Sequence, residues 1–255
     1  MSSTTNIVIT GASSGLGAAL ARACAAPGVV LGLTGRNRDR LMETAASCTA
    51  KGAKVEPGIV DVRDDEIMQE WLEKFDTRYP IDLLVANAGI SAGAGGQPES
   101  RKIVKDIFAT NVTGVINSIL PVIPRMQARK SGQIAIISSL AGIRGLPSCP
   151  AYSASKAAVR FFGEGLRGEL KKDGIGVSVI CPGYIRTPMT DVNDFPMPFI
   201  METNKAADII LHGIHNNKSR VAFPLALYLP LLLLSYLPLA VTDPFFAALP
   251  KKSSY

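Results

Sequence analysis

Two residues near the middle of the chain have types and spacing suited to proton transfer. Tyr152 and Lys156 are four residues apart in the stretch AYSASK, so in a helix both side chains lie on one face. A lysine ammonium about 4 Å from a phenol stabilises the phenolate by roughly 4 kcal/mol at an effective dielectric constant of 20. That energy would lower the pKa of the tyrosine from about 10 to about 7. Such a group can exchange protons with a carbonyl or an alcohol.

Two further polar residues extend this pair. Ser139 ends the apolar stretch GQIAIISS, and at the carboxyl end of a strand its hydroxyl could hold a substrate oxygen opposite the tyrosine. Asn111 follows IFAT in a predicted helix, where its amide could anchor a water that relays protons to the lysine. Either residue alone is more often a cap or a surface polar group, so the catalytic hypothesis depends on the whole set.

A glycine-rich turn follows the first predicted strand. Residues 10–17 read TGASSGLG. Three glycines let the chain turn tightly and let the backbone approach a pyrophosphate at the N-terminus of the next helix. Between a strand and a helix, this turn indicates dinucleotide binding.

The end of the second predicted strand bears on the choice of cofactor. An enzyme that uses NAD usually has a carboxylate there to hold the ribose hydroxyls, but this chain continues with Gly35 and Arg36. A guanidinium pairs with a 2′-phosphate, which a carboxylate would repel. We therefore expect NADP(H), with NAD(H) as the alternative. Arg38 and Arg40 are expected to be solvated at the start of a helix.

The elements that must position these residues alternate along the chain. Predicted strands occupy residues 6–10, 29–34, 54–60, 82–86, 132–138 and 176–181, and predicted helices include 15–26, 37–51 and 150–172. The strands are apolar on both faces and are separated by helical connections, which is typical of a parallel sheet covered on both sides. The pattern predicts one doubly wound α/β domain.

Composition excludes several classes of protein. Hydrophobic residues make up 47% of the 255 residues and charged residues 19%, which excludes a disordered chain. The net charge of +6 is spread along the chain without a basic stripe, so we expect no nucleic-acid partner. The four cysteines have no metal or redox spacing, which is typical of a reducing compartment. His212 and His215 lack an evident third ligand, so we expect no metal site.

The 22 residues 221–242 carry no charge. Their length could span a bilayer, but Pro224, Pro230 and Pro238 would interrupt a continuous helix. Three interpretations stay open: a hydrophobic cap on a substrate pocket, a dimer surface, or a peripheral membrane contact. The N-terminus has no signal-peptide pattern, so the chain is expected in the cytoplasm, at the membrane surface if the third interpretation holds.

Together these motifs resemble the short-chain dehydrogenase/reductase family. The similarity covers about residues 5–222 and rests on the order and spacing of Gly11, Gly15, Gly17, the stretch ANAG at 86–89, Asn111, Ser139, Tyr152, Lys156, Pro182 and Gly183. The 13-residue separation of Ser139 from Tyr152 matches as well and favours Ser139 over Ser138. Ala86 departs from the Asn often found there, but Asn87 is kept.

The resemblance implies a Rossmann-type fold, a doubly wound parallel sheet of seven strands in a single domain. It also implies NAD(P)-dependent oxidation or reduction of an alcohol/carbonyl pair. Tyr152 would be the proton donor, Lys156 would lower its pKa and bind the nicotinamide ribose, Ser139 would orient the substrate and Asn111 would support the proton relay. The residues implied to bind the cofactor, with Asp61 near the adenine, are Gly11, Ser13, Ser14, Gly15, Leu16, Gly17, Arg36, Asp61, Val62, Asn87, Gly89, Tyr152, Lys156, Pro182, Gly183, Ile185 and Thr187.

We expect residues 1–222 to form the dinucleotide-binding domain, with residues 184–203 as a substrate lid and 223–255 as an apolar extension. The resemblance implies a small-molecule carbonyl or alcohol substrate. The Phe, Pro and Met residues of the lid, together with the apolar stretch after it, favour one that is hydrophobic or lipid-linked, although any lid needs some apolar contact to close. The resemblance also implies a homodimer or homotetramer formed through the helices around 99–130 and 150–172. The alternative is a catalytically idle dinucleotide-binding scaffold or membrane-associated sensor, against which the intact set of four polar residues argues.

Overall fold

Seven parallel strands form a single sheet in the order β3-β2-β1-β4-β5-β6-β7. The computed structural model describes residues 5–91, 99–147 and 149–247. The strands are β1 (Asn6–Ile9), β2 (Val30–Gly35), β3 (Lys54–Ile59), β4 (Leu83–Ala86), β5 (Gly132–Ile137), β6 (Ile175–Pro182) and β7 (Arg220–Phe223). The order reverses between β1 and β4, which is the switch point where ligands bind in such sheets. The predicted Rossmann-type, seven-stranded parallel sheet is confirmed.

Helices cover both faces of the sheet. They are α1 (Gly15–Cys24), α2 (Arg38–Thr49), α3 (Asp65–Arg78), α4 (Arg101–Phe108), α5 (Gly114–Ile119), α6 (Ile123–Arg129), α7 (Pro150–Leu170), α8 (Thr203–His215), α9 (Leu225–Ser235) and α10 (Leu239–Ala247). Residues of α1, α2 and α8 pack in one core cluster, and residues of α3, α5, α6 and α7 pack in another.

The alternation of side chains along β1 explains why its sequence is apolar throughout. Ile7 and Ile9 belong to one core cluster and Val8 to the other. All three are at most 5% exposed. Because both faces of a parallel sheet are buried, every position of a central strand must be apolar.

Strand β7 is the element that the residue pattern did not predict. Residues 221–223 are part of the uncharged stretch 221–242, and only the family resemblance implies a seventh strand. In the structure β7 pairs in parallel with β6, and Val221 and Phe223 are buried. Residues 222 and 223, between which the domain boundary was expected, both lie in this strand.

The apolar stretch after β7 forms two short helices, α9 and α10, instead of one long helix. Pro224 precedes α9 and Pro238 lies between the two helices, as the prediction of an interrupted helix requires. Pro230, in contrast, lies inside α9 without ending it.

One helical stretch of the described chain, residues 101–129, is long and apolar enough to cross a membrane by length and composition alone. It runs from α4 through a π-helical turn at Ala109–Thr113 to α6. About half of its most apolar segment is buried. Val115, Ile119 and Met126 pack in the core cluster beneath the sheet, so this stretch has the packing of a core helix.

Candidate active site

A cleft of about 550 Å³ lies at the carboxyl ends of the strands, around the switch point between β1 and β4. Every residue for which cofactor contact was predicted lines this cleft, as do Ser139, Tyr152 and Lys156. The fold therefore brings together residues that are up to 176 positions apart in the sequence, from Gly11 to Thr187. Asn111 is fully buried behind the cleft wall.

The glycine turn brings the backbone of β1 against the end of β4. Gly11 has a φ of +67°, and a Cβ at that position would lie 2.8 Å from the Ala88 Cα. A Cβ on Gly17 would clash with the Gly11 carbonyl oxygen. The Asn87 amide Nδ2 donates to the carbonyl oxygens of Thr10, at 2.8 Å, and Gly11, at 3.3 Å. These positions require glycine because no space remains for a side chain.

The N-terminus of α1 faces the cleft. Ser14 is the N-cap residue in extended conformation, but its side chain makes no capping hydrogen bond to the described chain. Gly15 has a φ of +53°, and a Cβ there would lie 3.2 Å from the Thr187 Cγ2. The first N–H groups of a helix, together with its dipole, favour an anion at this end.

Charged side chains surround the far end of the cleft, beyond β2. Arg63 binds Asp61 through two nitrogens, with Nη2 at 2.6 Å and Nε at 2.9 Å from Oδ2. The Arg36 Nη1 is farther from the same oxygen, at 3.8 Å, and the Arg36 side chain is 53% exposed. Burial acts to raise the pKa of Asp61, but the hydrogen bonds from Arg63 and the charges of Arg63 and Arg36 hold it below its ordinary value. Arg36 is thus held only loosely by a neighbour.

Tyr152 and Lys156 lie in the first two turns of α7, which begins at Pro150. The Lys156 Nζ donates a 2.9 Å hydrogen bond to the Ile137 carbonyl oxygen and lies 5.8 Å from the centroid of the Tyr152 ring. The Ser139 hydroxyl is close enough to the Tyr152 phenol to lower the pKa of that phenol through a hydrogen bond. A hydroxyl, a phenol and an ammonium therefore meet at the end of β5.

The two adjacent serines at the end of β5 have different roles. The Ser138 hydroxyl is 2% exposed and donates to the Lys156 carbonyl oxygen at 2.8 Å, so it ties α7 to the sheet. The Ser139 Oγ accepts from the Ala141 N–H at 3.1 Å and also contacts Tyr152. Of the two, Ser139 is therefore the serine available to a substrate oxygen.

Asn111 lies in the π-helical turn between α4 and α5. Its Oδ1 accepts from the Ile90 N–H at 2.8 Å, and its Nδ2 donates to the Ile90 carbonyl oxygen at 2.9 Å and to the Ser155 Oγ at 3.0 Å. A Cβ on Gly89 would lie 3.3 Å from both the Asn111 Oδ1 and the Lys156 Nζ. The Asn111 amide and the Lys156 ammonium are thus neighbours on either side of Gly89. Asn111 is placed there by the π-helical turn, a frequent feature of functional sites.

The expected pKa of Tyr152 near 7 is wrong for this arrangement. Burial raises the pKa of Tyr152 to about 12, against the opposing effect of the Ser139 hydrogen bond. Burial also lowers the pKa of Lys156 to about 8. The burial of the phenol outweighs the attraction of the Lys156 ammonium, because that ammonium is directed to the Ile137 carbonyl oxygen.

Sequence reasoning assigned no role to two charged residues, one in the cleft and one beside the helix that carries Tyr152. Arg40, expected to be solvated, lines the cleft beside Arg36; its place in the first turn after β2 was the available signal. Glu99 accepts a 2.9 Å hydrogen bond from the Ala151 N–H, at the start of α7. No sequence signal could have found that contact, because the two residues are far apart in the chain.

The segment predicted as a lid, residues 184–203, follows β6 and leads into α8. Ile185 and Met201 pair as an isolated bridge, and Arg186 donates through Nε to Glu202 at 2.8 Å. These contacts close the base of the segment. Thr187, Met189 and Thr190 from it line the cleft, where Thr187 lies beside Gly15.

Comparisons with known proteins agree with this geometry. The family model described as short chain dehydrogenase matches residues 5–195. An uncharacterized oxidoreductase of Myxococcus xanthus is 38% identical over 237 residues, which are 92% of this chain and 94% of that protein.

Solved structures of similar proteins hold either form of the cofactor. A short-chain dehydrogenase from Sphingobium yanoikuyae in complex with NADPH is 25% identical, with a TM-score of 0.80, and 98% of each chain is covered. A short-chain dehydrogenase/reductase from Burkholderia phymatum in complex with NAD is also 25% identical, with a TM-score of 0.82, covering 89% of this chain and 91% of that one. The chain belongs to the short-chain dehydrogenase/reductase family of NAD(P)-dependent oxidoreductases.

Proposed function

We propose that this protein is an NADP(H)-dependent oxidoreductase that acts on a carbonyl/secondary alcohol pair, with Tyr152 as general acid/base. The observation that carries the proposal is the convergence of Ser139, Tyr152 and Lys156 at one end of the cleft that begins at the glycine turn. Proton transfer and cofactor binding then occur in the same cleft. Membership of the family supports the reaction class.

The residues present fit a dinucleotide. The glycine turn has no space for a Cβ at Gly11 or Gly17, and the α1 N-terminus offers N–H groups to a pyrophosphate. Lys156 and Asn87 border the cleft nearer the candidate catalytic tyrosine. When bound, the nicotinamide supplies or accepts the hydride.

The arginines at the far end of the cleft support a preference for NADP(H). Arg36 and Arg40 both line that end. Arg36 makes only a long ion pair with Asp61, at 3.8 Å, while Asp61 is already engaged by Arg63. A 2′-phosphate would offer both guanidinium groups a charge-assisted partner, whereas NAD(H) would leave them without one.

The four polar residues Ser139, Tyr152, Lys156 and Asn111 have different roles in the proposed reaction. Ser139 holds the substrate oxygen beside Tyr152, and Tyr152, protonated at neutral pH because its pKa is about 12, donates its proton to a carbonyl oxygen. The Lys156 ammonium stabilises the phenolate that this leaves. Asn111 holds the Ile90 backbone next to the lysine and supports the return of the proton.

The lid supports an apolar substrate. Phe195 packs edge-on against Tyr184, with ring centroids 6.2 Å apart, and Met189 lines the cleft near Thr187. A hydrophobic or lipid-linked carbonyl compound would bury its chain against these side chains. Residues 1–222, with this segment as the lid, form the catalytic unit of the proposal.

Assembly and location belong to the same proposal. The protein would act as a homodimer or homotetramer through the helices of residues 101–129 and α7, which expose Leu120, at 51%, and Phe161, at 64%. Its four cysteines, Cys24, Cys48, Cys149 and Cys181, form no disulfide with one another. Cysteines without disulfides suit the reducing cytoplasm.

The test joins cofactor binding to turnover. Purified protein is titrated with NADPH and with NADH by nicotinamide fluorescence, then assayed against a panel of apolar ketones. We expect Tyr152→Phe to keep its NADPH affinity but to lose about 10²- to 10⁴-fold in kcat, the usual contribution of a general acid. Tyr236→Phe, at a residue that is 80% exposed, is the matched control.

Two outcomes would contradict the proposal. If Tyr152→Phe retained the wild-type rate, the phenol would not be the acid. If neither dinucleotide bound, the catalytically idle scaffold or sensor would replace the enzyme.

A further inference from the structure

The two C-terminal helices carry a concentration of exposed apolar side chains. We call this set the α9–α10 surface: Leu225, Leu229, Leu233, Tyr236, Leu237, Leu239, Val241 and Phe245. Each is between 45% and 80% exposed. Elsewhere in the described chain, exposed large apolar residues are scattered between Met42 and Phe199. Contiguous exposed apolar surface of this kind marks a binding face.

The α9–α10 surface belongs to ordered helices that are held on the domain. Leu227, Tyr228 and Leu231 of α9 pack against the cluster of Leu140, Val179 and Cys181. In α10, Thr242 and Phe246 are at most 3% exposed. The face opposite these contacts is therefore presented outward by a fixed scaffold.

Arg144 fixes α10 to the domain. Its Nη2 donates to the Thr242 Oγ1 at 3.0 Å and to the Asp243 Oδ1 at 3.1 Å, and its guanidinium lies 4.9 Å from the centroid of the Phe246 ring. The carboxylate of Asp243, the first acid after the uncharged stretch, is thereby paired with a cation.

Exposed apolar residues lie along one face of α9, opposite the face that packs on the domain. Leu225, Leu229 and Leu233 form a ridge at four-residue spacing, and Tyr236 and Leu237 continue the exposure beyond the end of the helix. A helix with one face held on the domain and an outward apolar face is suited to lie in a lipid interface.

The lengths of the two helices fit shallow insertion. At 1.5 Å per residue, α9 and α10 are about 16 Å and about 14 Å long, much shorter than the roughly 30 Å of a bilayer core. Helices of this kind lie in the interface plane. The exposed aromatic rings of Tyr236 and Phe245 suit the headgroup level.

The charges around the α9–α10 surface favour anionic lipid. Residues 221–242 carry no charge. Before them comes Lys218, which lines a groove beside α9 together with Asp208. Arg220 lines the same groove, but its guanidinium is paired with Glu164. After them the sequence has Lys251 and Lys252, which lie outside the described residues. Lysines next to inserted apolar helices bind acidic headgroups.

We propose that the α9–α10 surface docks on an anionic lipid membrane. This surface lies next to the substrate end of the cleft. Gly183 lines the cleft and touches the start of α9, because a Cβ on Gly183 would lie 3.0 Å from the Pro224 Cδ and 3.5 Å from the Leu227 Cδ1. Docking would therefore hold the site at the membrane, where apolar substrates partition. Only this last consequence rests on the proposed function.

The experiment is flotation of the full chain with vesicles, which needs no turnover. One set of vesicles is pure phosphatidylcholine and the other an equimolar mixture with phosphatidylglycerol. We expect binding to the mixed vesicles to be the tighter. The pair Leu229→Glu/Leu233→Glu should weaken that binding by at least about a hundredfold, since two leucines lose their burial in lipid.

A charge-matched control separates apolar docking from repulsion. Met42→Glu/Ile67→Glu changes two residues that are 45% and 50% exposed on α2 and α3. The vesicle binding of this variant should fall by at most about twofold, which is the small loss that two added acids cause. Unchanged NADPH affinity and thermal unfolding midpoint show that each variant is folded.

Three results would overturn the proposal. Wild-type protein could fail to float with either vesicle, or the control pair could lose as much binding as the leucine pair. A leucine pair that left flotation unchanged but reduced the mass in size-exclusion chromatography would assign the α9–α10 surface to a second copy of the chain. If activity were absent while flotation behaved as expected, the docking would stand and the proposed reaction would fall.

Discussion

The two ends of the cleft are built in different ways. At the cofactor end, single residues meet strict steric demands, as at Gly17, where any Cβ would strike the Gly11 carbonyl oxygen. At the substrate end, the lid and the α9–α10 surface share apolar character, but no single position is so tightly enclosed; Met189 is 36% exposed and Leu225 is 61% exposed. A strict steric demand at single positions produces a motif that can be recognised in the sequence. A property shared by many positions produces only a biased amino-acid composition.

The contrast extends to electrostatics. The cofactor end offers a helix N-terminus and the guanidinium groups of Arg36 and Arg40 to an anion. The substrate end presents a hydroxyl and a phenol among apolar side chains, and burial there raises the pKa of Tyr152 and lowers that of Lys156. The cofactor end is thus suited to binding an anion, and the substrate end is suited to proton transfer in a site shielded from water.

The largest effect is expected at the glycine turn. Gly17→Ala should weaken NADPH binding by about a hundredfold, since overpacking against the fixed Gly11 backbone costs close to the upper end of the usual range of about 1–3 kcal/mol. Fluorescence titration measures the loss. Gly168→Ala, in α7 where a Cβ would meet open space, is the control and should stabilise the protein by up to about 1 kcal/mol. Equal NADPH affinity in both variants would show that the cofactor end of the cleft has no strict steric demand at Gly17.

The arginine pair is expected to have the next largest effect. Arg36→Ala/Arg40→Ala removes two charge-assisted partners of a 2′-phosphate, each worth about 0.5–1.5 kcal/mol net at a solvent-exposed position. We expect the NADPH dissociation constant to rise by tenfold to a hundredfold, while that of NADH changes by less than about threefold. Arg38→Ala provides a neighbouring control. A parallel loss for both dinucleotides would mean that the arginines support the fold and do not select the cofactor.

The pH dependence tests the proton-transfer end. Lys156 has a pKa lowered to about 8 by burial, so its ammonium is present below that pH and is lost above it. Tyr152, with a pKa of about 12, stays protonated over the same range. We expect kcat/KM for ketone reduction to be level below about pH 8 and to fall above it, by up to about tenfold per pH unit. A profile that stayed flat to pH 10 would show that the lysine charge is not needed.

The smallest effect is expected in the lid. Met189→Ser removes part of an apolar contact in the cleft, and a partly buried methionine contributes about 1 kcal/mol. The KM for an apolar ketone should rise by about fivefold, with the NADPH dissociation constant unchanged. A short, polar ketone serves as the control substrate and should respond much less. An equal rise for both ketones would argue against an apolar substrate.

Much of the fold could be predicted from the sequence because each central strand is buried on both faces. Stretches such as NIVI, with Ile7 and Val8 in opposite core clusters, are apolar throughout and easy to recognise. Strand β7 has four residues and is followed by an equally apolar helix, so no change of pattern marked its end. Its identity depends on pairing with β6, which is a tertiary contact.

By itself, the sequence determined the glycine turn and the Tyr152/Lys156 spacing, and the family resemblance favoured Ser139 over Ser138. The first two follow from local rules, since a turn needs glycine and a helix aligns residues four apart. Only the tertiary structure decided the pKa of Tyr152, which depends on burial and on the Ile137 carbonyl oxygen that holds Lys156. It also decided that Glu99 receives the Ala151 N–H and that the apolar residues of α9 face outward, because exposure and long-range hydrogen bonds exist only after distant segments have packed.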